Sequence, residues 1–594
     1  EPPVIKPSKQ DTQKDPTISI DGKTALLGDK VYYRVNIDAS RLTDTAYKVW
    51  RLGMTDDYDQ EYLTLDAKHV EILDETGRDR TGEFNIQDKD GVLYAFAKTV
   101  DTQIPATGET VPGDPQPDDL KAYSEKTDKD YDPLKDPSID QSLLGHTYQV
   151  VMPMTVTKVK DGHTVENTAT QVTNDKRDKT NTVTNPLKEI NPTKDVTVQV
   201  GGDSIDGKSV YLNHTFLYRL DSSILPPDRA YQTVTDWGGT DQLATEYDQY
   251  LGNWAVYASR DLYRDGQMLA AKGEKIAGSG FDSSKFGGNL FTVDADDNGK
   301  VTADATQAYL DLVSADNEHE AGWVLYLQCK RIAVADEVPN TWTETINGQP
   351  RESNKVVTKT PDMTPSIHLE KVDTPTLKQE GQEQADRDDP KQALKMDADS
   401  IGITFIITNT SKTDPATGDG AWYKASDLNL ADSTIVGDAH VDMDSLTYPA
   451  DWDTLVLKPG ESVSVTGTLK GVKEGDTHTD RAIVTGTPLV ECAPSNGDPF
   501  NDKTDGGEDT DPEYSTGDVT EIDGKQLCAD TQTTSNTDDW NGYRAKPLAS
   551  TGVAVLGLAG GALAVLLAGG SLLVFRKRHY AQGSGRHTAV NAGK

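Results

Sequence analysis

This chain is poor in cysteine, histidine and positive charge, and each shortage excludes something. Three cysteines among 594 residues cannot staple a disulfide scaffold, and their spacing matches no metal-ligand pattern. The 10 histidines are scattered, and no His-Glu-x-x-His, Gly-x-Ser-x-Gly or phosphate-binding glycine loop is present. Carboxylates are so numerous that a glycosidase pair cannot be picked out by counting, and a solvated acidic face is the plain reading. Against 97 acidic residues stand 59 basic ones, a net charge of −38. That balance excludes a nucleic-acid binder, which needs a basic face, and suits a soluble surface protein. Long helical periodicity is also missing, and only one long apolar run occurs, near the C-terminus.

What is present is short alternation. Val31-Tyr32-Tyr33-Arg34-Val35-Asn36-Ile37 is typical, and runs like it recur among Thr, Val, Asp, Gly and dispersed Pro. They predict an all-β ectodomain of sandwiches. The length allows roughly four domains. Ile5-Lys6-Pro7-Ser8-Lys9 and Ile20-Asp21-Gly22-Lys23 reappear without a gap as Ile190-Asn191-Pro192-Thr193-Lys194 and Ile205-Asp206-Gly207-Lys208. Tyr33-Arg34 and Tyr218-Arg219 hold the same offset of 185 residues. This is a repeat of domain size, with a boundary near Ile190. A third unit begins near Pro365-Ser366-Ile367, and its alternation shows in Ile401-Gly402-Ile403-Thr404-Phe405. The expected division is 1–188, 189–363 and 364–489 as three sandwiches, 490–547 as an acidic loop and wall-spanning spacer, and 548–594 as an anchor. Cys329 sits in an apolar strand and reads as a core residue. Cys492 and Cys528 flank the acidic loop and are a disulfide candidate for an oxidising exterior.

The anchor reads Leu548-Ala549-Ser550-Thr551-Gly552, then an apolar run over residues 553–575, then Arg576-Lys577-Arg578. As a helix that run can cross a hydrocarbon core of ~30 Å, with its basic end on the cytoplasmic side. The pentapeptide resembles a sortase sorting signal of the LPxTG class, in an LAxTG form. The resemblance implies sortase as a partner, cleavage after Thr551 and transfer of its carboxyl to peptidoglycan, on the surface of a Gram-positive bacterium. The membrane would be met only through the helix at 553–575. The start, Glu1-Pro2-Pro3-Val4, is no secretory leader, so a processed end or, preferably, the cut edge of a longer chain is expected.

Units one and two are similar to the C-terminal domains of streptococcal antigen I/II adhesins. The resemblance is carried by Tyr148-Gln149-Val150-Val151-Met152-Pro153-Met154-Thr155-Val156, Asn191-Pro192-Thr193-Lys194-Asp195-Val196-Thr197-Val198, Glu246-Tyr247-Asp248-Gln249-Tyr250 and Leu327-Gln328-Cys329-Lys330-Arg331-Ile332. It implies immunoglobulin-like β-sandwiches, each locked by a Lys–Asn isopeptide bond, forming a stalk for an adhesive head. By the same resemblance Lys9 pairs with Asn167, and Lys194 with Asn340. Asp57 and Asp241 are the acids of first choice, with Asp66 and Asp248 as alternatives. The third unit resembles the small repeat sandwiches near the wall anchor of Gram-positive surface proteins. There Lys371 is placed like the other lysines, and Asp480 stands where asparagine is usual. No cofactor is required. A structural calcium ion is allowed by the family, and Asp294, Asp296 and Asn298 resemble the start of a calcium loop. Ala305 stands at its twelfth position, so a hairpin turn is the favoured reading there.

The function expected is the stalk and anchor of a wall-attached adhesin, with a host glycoprotein or bacterial surface ligand as partner. A sortase-polymerised pilus subunit, or the anchor of a surface enzyme whose catalytic domain is absent, are the alternatives.

Overall fold

A computed structural model describes residues 4–44, 48–104, 107–374, 386–494, 499–500, 504–506 and 519–547. Leu548, Ala549, Ser550, Thr551, Gly552 and the apolar run at 553–575 lie outside them. Among the described residues no helix is long and apolar enough to cross a membrane.

The alternating runs become strands because a pleated strand sends successive side chains to opposite faces. In Lys30–Asp38, Val31, Tyr33, Val35 and Ile37 are fully buried in the core of unit one. That unit is two antiparallel layers. The first runs in the order Ser8–Thr12, Lys30–Asp38, Thr147–Val156, Leu63–Leu65; the second runs Lys176–Lys179, Ala169–Thr173, Leu52–Asp57, Val92–Ala97, Phe84–Lys89. Unit two repeats the plan. Its first layer is Thr193–Thr197, Thr215–Asp221, Trp323–Arg331, Asp248–Ala258, Lys275–Gly278; its second is Phe291–Ala295, Lys300–Ala305, Trp237–Gln242, Trp342–Ile346, Gln349–Glu352. The 185-residue repeat survives as register. Lys9 faces Val35 across the first strand pair, and Lys194 faces Leu220. Cys329 is a buried free thiol in unit two's core.

The units meet through backbone as well as side chains. The amide of Thr24 donates to the Asp228 carbonyl at 2.8 Å, and that of Ala230 returns to Thr24 at 2.8 Å. Between units two and three, Ser209 Oγ donates to Asp414 at 2.8 Å and the Tyr211 hydroxyl to Asp419 at 3.1 Å.

The third unit corrects the expected division. Its first layer is Ile367–Asp373, Ser400–Asn409, Ser462–Lys470, His440–Val441. Its second contains Asp538–Tyr543, which lies between Thr477–Gly486 and Leu394–Lys395. A boundary at 489 therefore cuts the sandwich, and 520–543 belong to it rather than to a wall-spanning spacer. The acidic composition of Asp538-Asp539-Trp540-Asn541-Gly542 hides a strand whose inward residue, Trp540, is fully buried among Ile403, Phe405 and Val484. Leu489–Glu491, Lys525–Ala529 and Thr520–Ile522 add a small sheet, and Cys492 and Cys528 are joined with Cα atoms 4.9 Å apart.

Trp540→Ala is expected to destabilise unit three by about 3–5 kcal/mol through the cavity it leaves. A chain ended at residue 489 should lose that unit's thermal transition altogether. Calorimetry that finds the transition intact in the shortened chain would restore the spacer assignment.

Candidate cross-link sites

Lysine at the second position of a five-residue edge strand points inward or outward by parity alone. In Ser8–Thr12, Lys9 and Asp11 point in. Lys9 is buried, and its Nζ donates to the Asp56 carboxylate. The Nζ also lies 4.6 Å from the centre of the Tyr33 ring. Burial pulls the Lys9 amine below its usual pKa, against the opposing pull of Asp56. The acid is Asp56 and not Asp57. The strand Leu52–Asp57 sends Leu52, Met54 and Asp56 into the core, so the next residue, Asp57, is exposed. Sequence carried a signal for this, since Asp56 lies at the 185-residue offset from Asp241. Asp66 is also exposed, holding His69 at 2.7 Å.

In unit two, Lys194 donates to the Asp241 carboxylate, both groups are buried, and Nζ stands 4.6 Å from the Tyr218 ring. Burial lowers the lysine, and it raises Asp241 despite Lys194 and Asn340 beside it. A raised acid next to a lowered amine is the neutral pair that a dry site favours. Asp248 is occupied elsewhere: it accepts from Arg331 Nε at 2.7 Å and from the Tyr218 hydroxyl at 2.7 Å.

The asparagines come to these pairs by register. Ala169 faces Asp56, and Asn167 lies two residues earlier on the same side; Trp342 faces Asp241, and Asn340 lies two residues earlier. Both side chains are buried, and both amides have neither oxygen nor nitrogen in a hydrogen bond. A buried amide without partners costs roughly 1–3 kcal/mol per group and needs a reason. Asn181 and Asn354, which the sequence reading missed, clamp the lysine strands. Each accepts from the lysine backbone amide, at 2.9 and 2.8 Å, and donates back to the lysine carbonyl at 2.9 Å.

Unit three has the same diagonal. Ala482 faces Asp432, and Asp480 lies two residues earlier. Lys371 Nζ donates to Asp432 and approaches Asp480 Oδ1 to 2.6 Å, outside hydrogen-bonding angles. It stands 5.5 Å from the Phe405 ring. His478 Nε2 lies 3.3 Å from the other Asp480 oxygen. Burial raises Asp432 to about 6. Asp432 gave no sequence signal, because nothing repeats with it.

The calcium-like stretch is a hairpin turn between Phe291–Ala295 and Lys300–Ala305. Asp296 accepts from the amides of Asn298 and Lys300, each at 2.9 Å, so its carboxylate closes the turn; Asp294 lies in the first strand. Among the described residues no group of three or more His, Cys, Asp or Glu is placed to hold a metal ion.

With two tandem sandwiches and a lysine–carboxylate–amide site in each, the comparisons with known proteins fall into place. Residues 7–187 match the cell surface antigen I/II C2 terminal domain, and residues 191–361 match the cell surface antigen C-terminus. Over these two stretches, together more than half of it, the chain belongs to the antigen I/II C-terminal-domain family. An aggregation substance of Enterococcus faecalis is 30% identical over 324 residues, covering 54% of this chain and 21% of that protein. The chain thus spans about a fifth of that relative's length. The C-terminal domain of the Streptococcus pyogenes antigen I/II-family protein AspA is 23% identical with a TM-score of 0.45, covering 60% of this chain and 100% of that one. The C-terminal domain of the Streptococcus agalactiae AgI/II polypeptide BspA is 19% identical with a TM-score of 0.44, covering 59% and 99%.

Asp11 gives a pH test. It is buried with neither oxygen in a hydrogen bond, and burial first, then repulsion from Asp21, pushes its carboxyl up to about 7. The folded state then holds a proton that the unfolded state has lost above about pH 4, so the contribution of this carboxyl to unit one is most favourable at low pH and is lost as pH rises toward about 7. In Asp11→Asn the melting temperature of unit one should change less across that window. An unchanged slope would remove Asp11 as its source.

Proposed function

We propose that this chain is the stalk and anchor region of a sortase-attached surface adhesin, braced by one intramolecular isopeptide bond in each sandwich. The unpartnered buried amides of Asn167 and Asn340, next to lysines whose amines burial holds below their usual pKa, carry the proposal. The lysine Nζ lone pair attacks the asparagine Cγ. The protonated aspartate donates to the amide oxygen, then relays the amine proton to the leaving nitrogen. One N–C bond forms, one breaks, and ammonia leaves. In unit three the same attack on Asp480 expels water, with Asp432 as the relay. Each bond joins the edge strand that carries the lysine to a strand outside its own layer, so tension meets a covalent tie before it can peel that strand away. Sortase transfer of the Thr551 carboxyl to peptidoglycan would continue that tie to the wall. The ligand class is a host glycoprotein or another bacterium's surface, reached by parts of the protein that a stalk would present. This is a binding and load-bearing role, with no turnover.

Intact mass of the full chain tests the bonds. Each Lys–Asn bond removes about 17 Da as ammonia, and the Lys371–Asp480 bond about 18 Da as water. Asp56→Ala should restore the ammonia of unit one, whereas Asp57→Ala should not. A wild-type chain at its full calculated mass would falsify the cross-links. Lys194→Ala should also cost unit two about 5 kcal/mol, the chain-entropy value for releasing so long a loop, read from its thermal transition.

A further inference from the structure

One face of unit two is apolar where it should be wet. An antiparallel sheet with one face on a core usually turns polar residues outward. In Thr215–Asp221 the core takes Phe216, Tyr218 and Leu220, which leaves Leu217, Arg219 and Asp221 on the outer face. In Trp323–Arg331 the core takes Trp323, Leu325 and Leu327, which leaves Val324 and Tyr326 outside. Ala255 and Tyr257 of the next strand, with Val200, complete an outer apolar slot.

The slot is filled from unit three. The stretch closed by Cys492 and Cys528 places Phe500 in it, 1% exposed, against Leu217, Tyr257, Val324 and Tyr326. Five residues on, the Asp505 carboxylate accepts from the Tyr326 hydroxyl at 2.6 Å, and Arg219 lies 3.4 Å from it. Arg219 is shared with Asp221 at 2.8 Å. The backbone joins in: Lys275 Nζ donates to the Phe500 carbonyl at 3.2 Å, and the Asp505 amide donates to the Gly273 carbonyl at 3.1 Å. Gly273 has φ +84°, and a Cβ there would lie 2.6 Å from the Asp505 backbone carbonyl oxygen, so only glycine admits this approach. An aromatic anchor in an apolar slot, a carboxylate on a tyrosine hydroxyl and an arginine, and backbone bonds between them are the parts of a peptide-recognition site.

We propose that this outer face of unit two is a binding site for an acidic peptide with an aromatic residue five positions before an aspartate, and that the chain's own Phe500 and Asp505 occupy it in cis, latching unit three to unit two. The reading does not depend on the isopeptide bonds, and its test does not read them. The disulfide holds both ends of the segment at one place on unit three, which keeps the ligand at high effective concentration.

The probe is a fluorescent synthetic peptide of residues 496–508, and anisotropy is read on the full chain. The Phe500→Ala/Asp505→Asn chain, with its slot vacated, should bind the peptide. Wild type should bind it at least about tenfold more weakly, because the cis segment competes. Adding Tyr326→Phe to the opened chain removes the hydroxyl that donates to Asp505 and accepts from the Gly201 amide at 3.3 Å, and should weaken binding by about tenfold. The idea is overturned by no binding to the opened chain, by equal binding to wild type and opened chain, or by equal binding of a peptide with Phe500 replaced by alanine. Hydrogen exchange on the wild-type chain gives a check that needs no variant. The Asp505 amide should be protected, and exchange at the rate of a free loop would overturn the latch.

Discussion

A lysine amine enclosed between two β-layers is the constraint on which the rest of each unit depends. Charged and alone it would be too costly to bury, so the fold must bring a carboxylate to it and keep water from both. Doing so fixes the register of the first edge strand, because a slip of one residue turns Lys9, Lys194 or Lys371 to solvent. It also fixes the opposite layer, since Asp56, Asp241 and Asp432 reach the amine only from inward positions of their own strands. An aromatic ring beneath each amine, Tyr33, Tyr218 or Phe405, completes the enclosure. The third member of each site then follows from pleat geometry, two residues before the residue that faces the acid.

The joints between units are built differently. Within a unit the two layers share a dry core and a buried lysine–carboxylate site; between units the contacts are backbone ladders, hydroxyl–carboxylate bonds and one inserted phenylalanine. Under the proposed isopeptide bonds, which would close each sandwich, these joints are the parts left without a cross-link. The slot for Phe500 matters for that reason, because it spans the junction of units two and three and draws on charge, apolar area and backbone at once. The small sheet behind the disulfide carries the segment that reaches across.

Much of this architecture was readable in advance, and the misreadings have physical causes. The 185-residue repeat located two sandwiches and both lysines, because identical local needs (a proline, then an inward lysine on an edge strand) leave identical residues. Sequence points to Asp57 and passes over Asp56 because composition does not show where the pleat begins, and adjacent carboxylates look alike until one is buried. Residues 520–543 read as spacer because acidic side chains on an outward face outnumber the few inward residues, and one buried tryptophan does not make a visible period. Asp432 repeats with nothing, whereas the Asn181 and Asn354 clamps each lie 14 residues after Asn167 and Asn340, a shared spacing that marks them as equivalent but does not say what they hold.

By itself the sequence determined the class of fold, the number of units, the family of the first two, and the residue types available for cross-linking. Those follow from period, repeat and local motif, which are properties of neighbouring positions. Only the tertiary structure decided which aspartate meets each lysine, that Asp480 and Asp432 both converge on Lys371, that the third unit closes with Trp540, and that Phe500 leaves its own unit to cover another. Each of these joins residues far apart in the chain, through strand parity and packing between layers, and neither quantity is written in any single stretch.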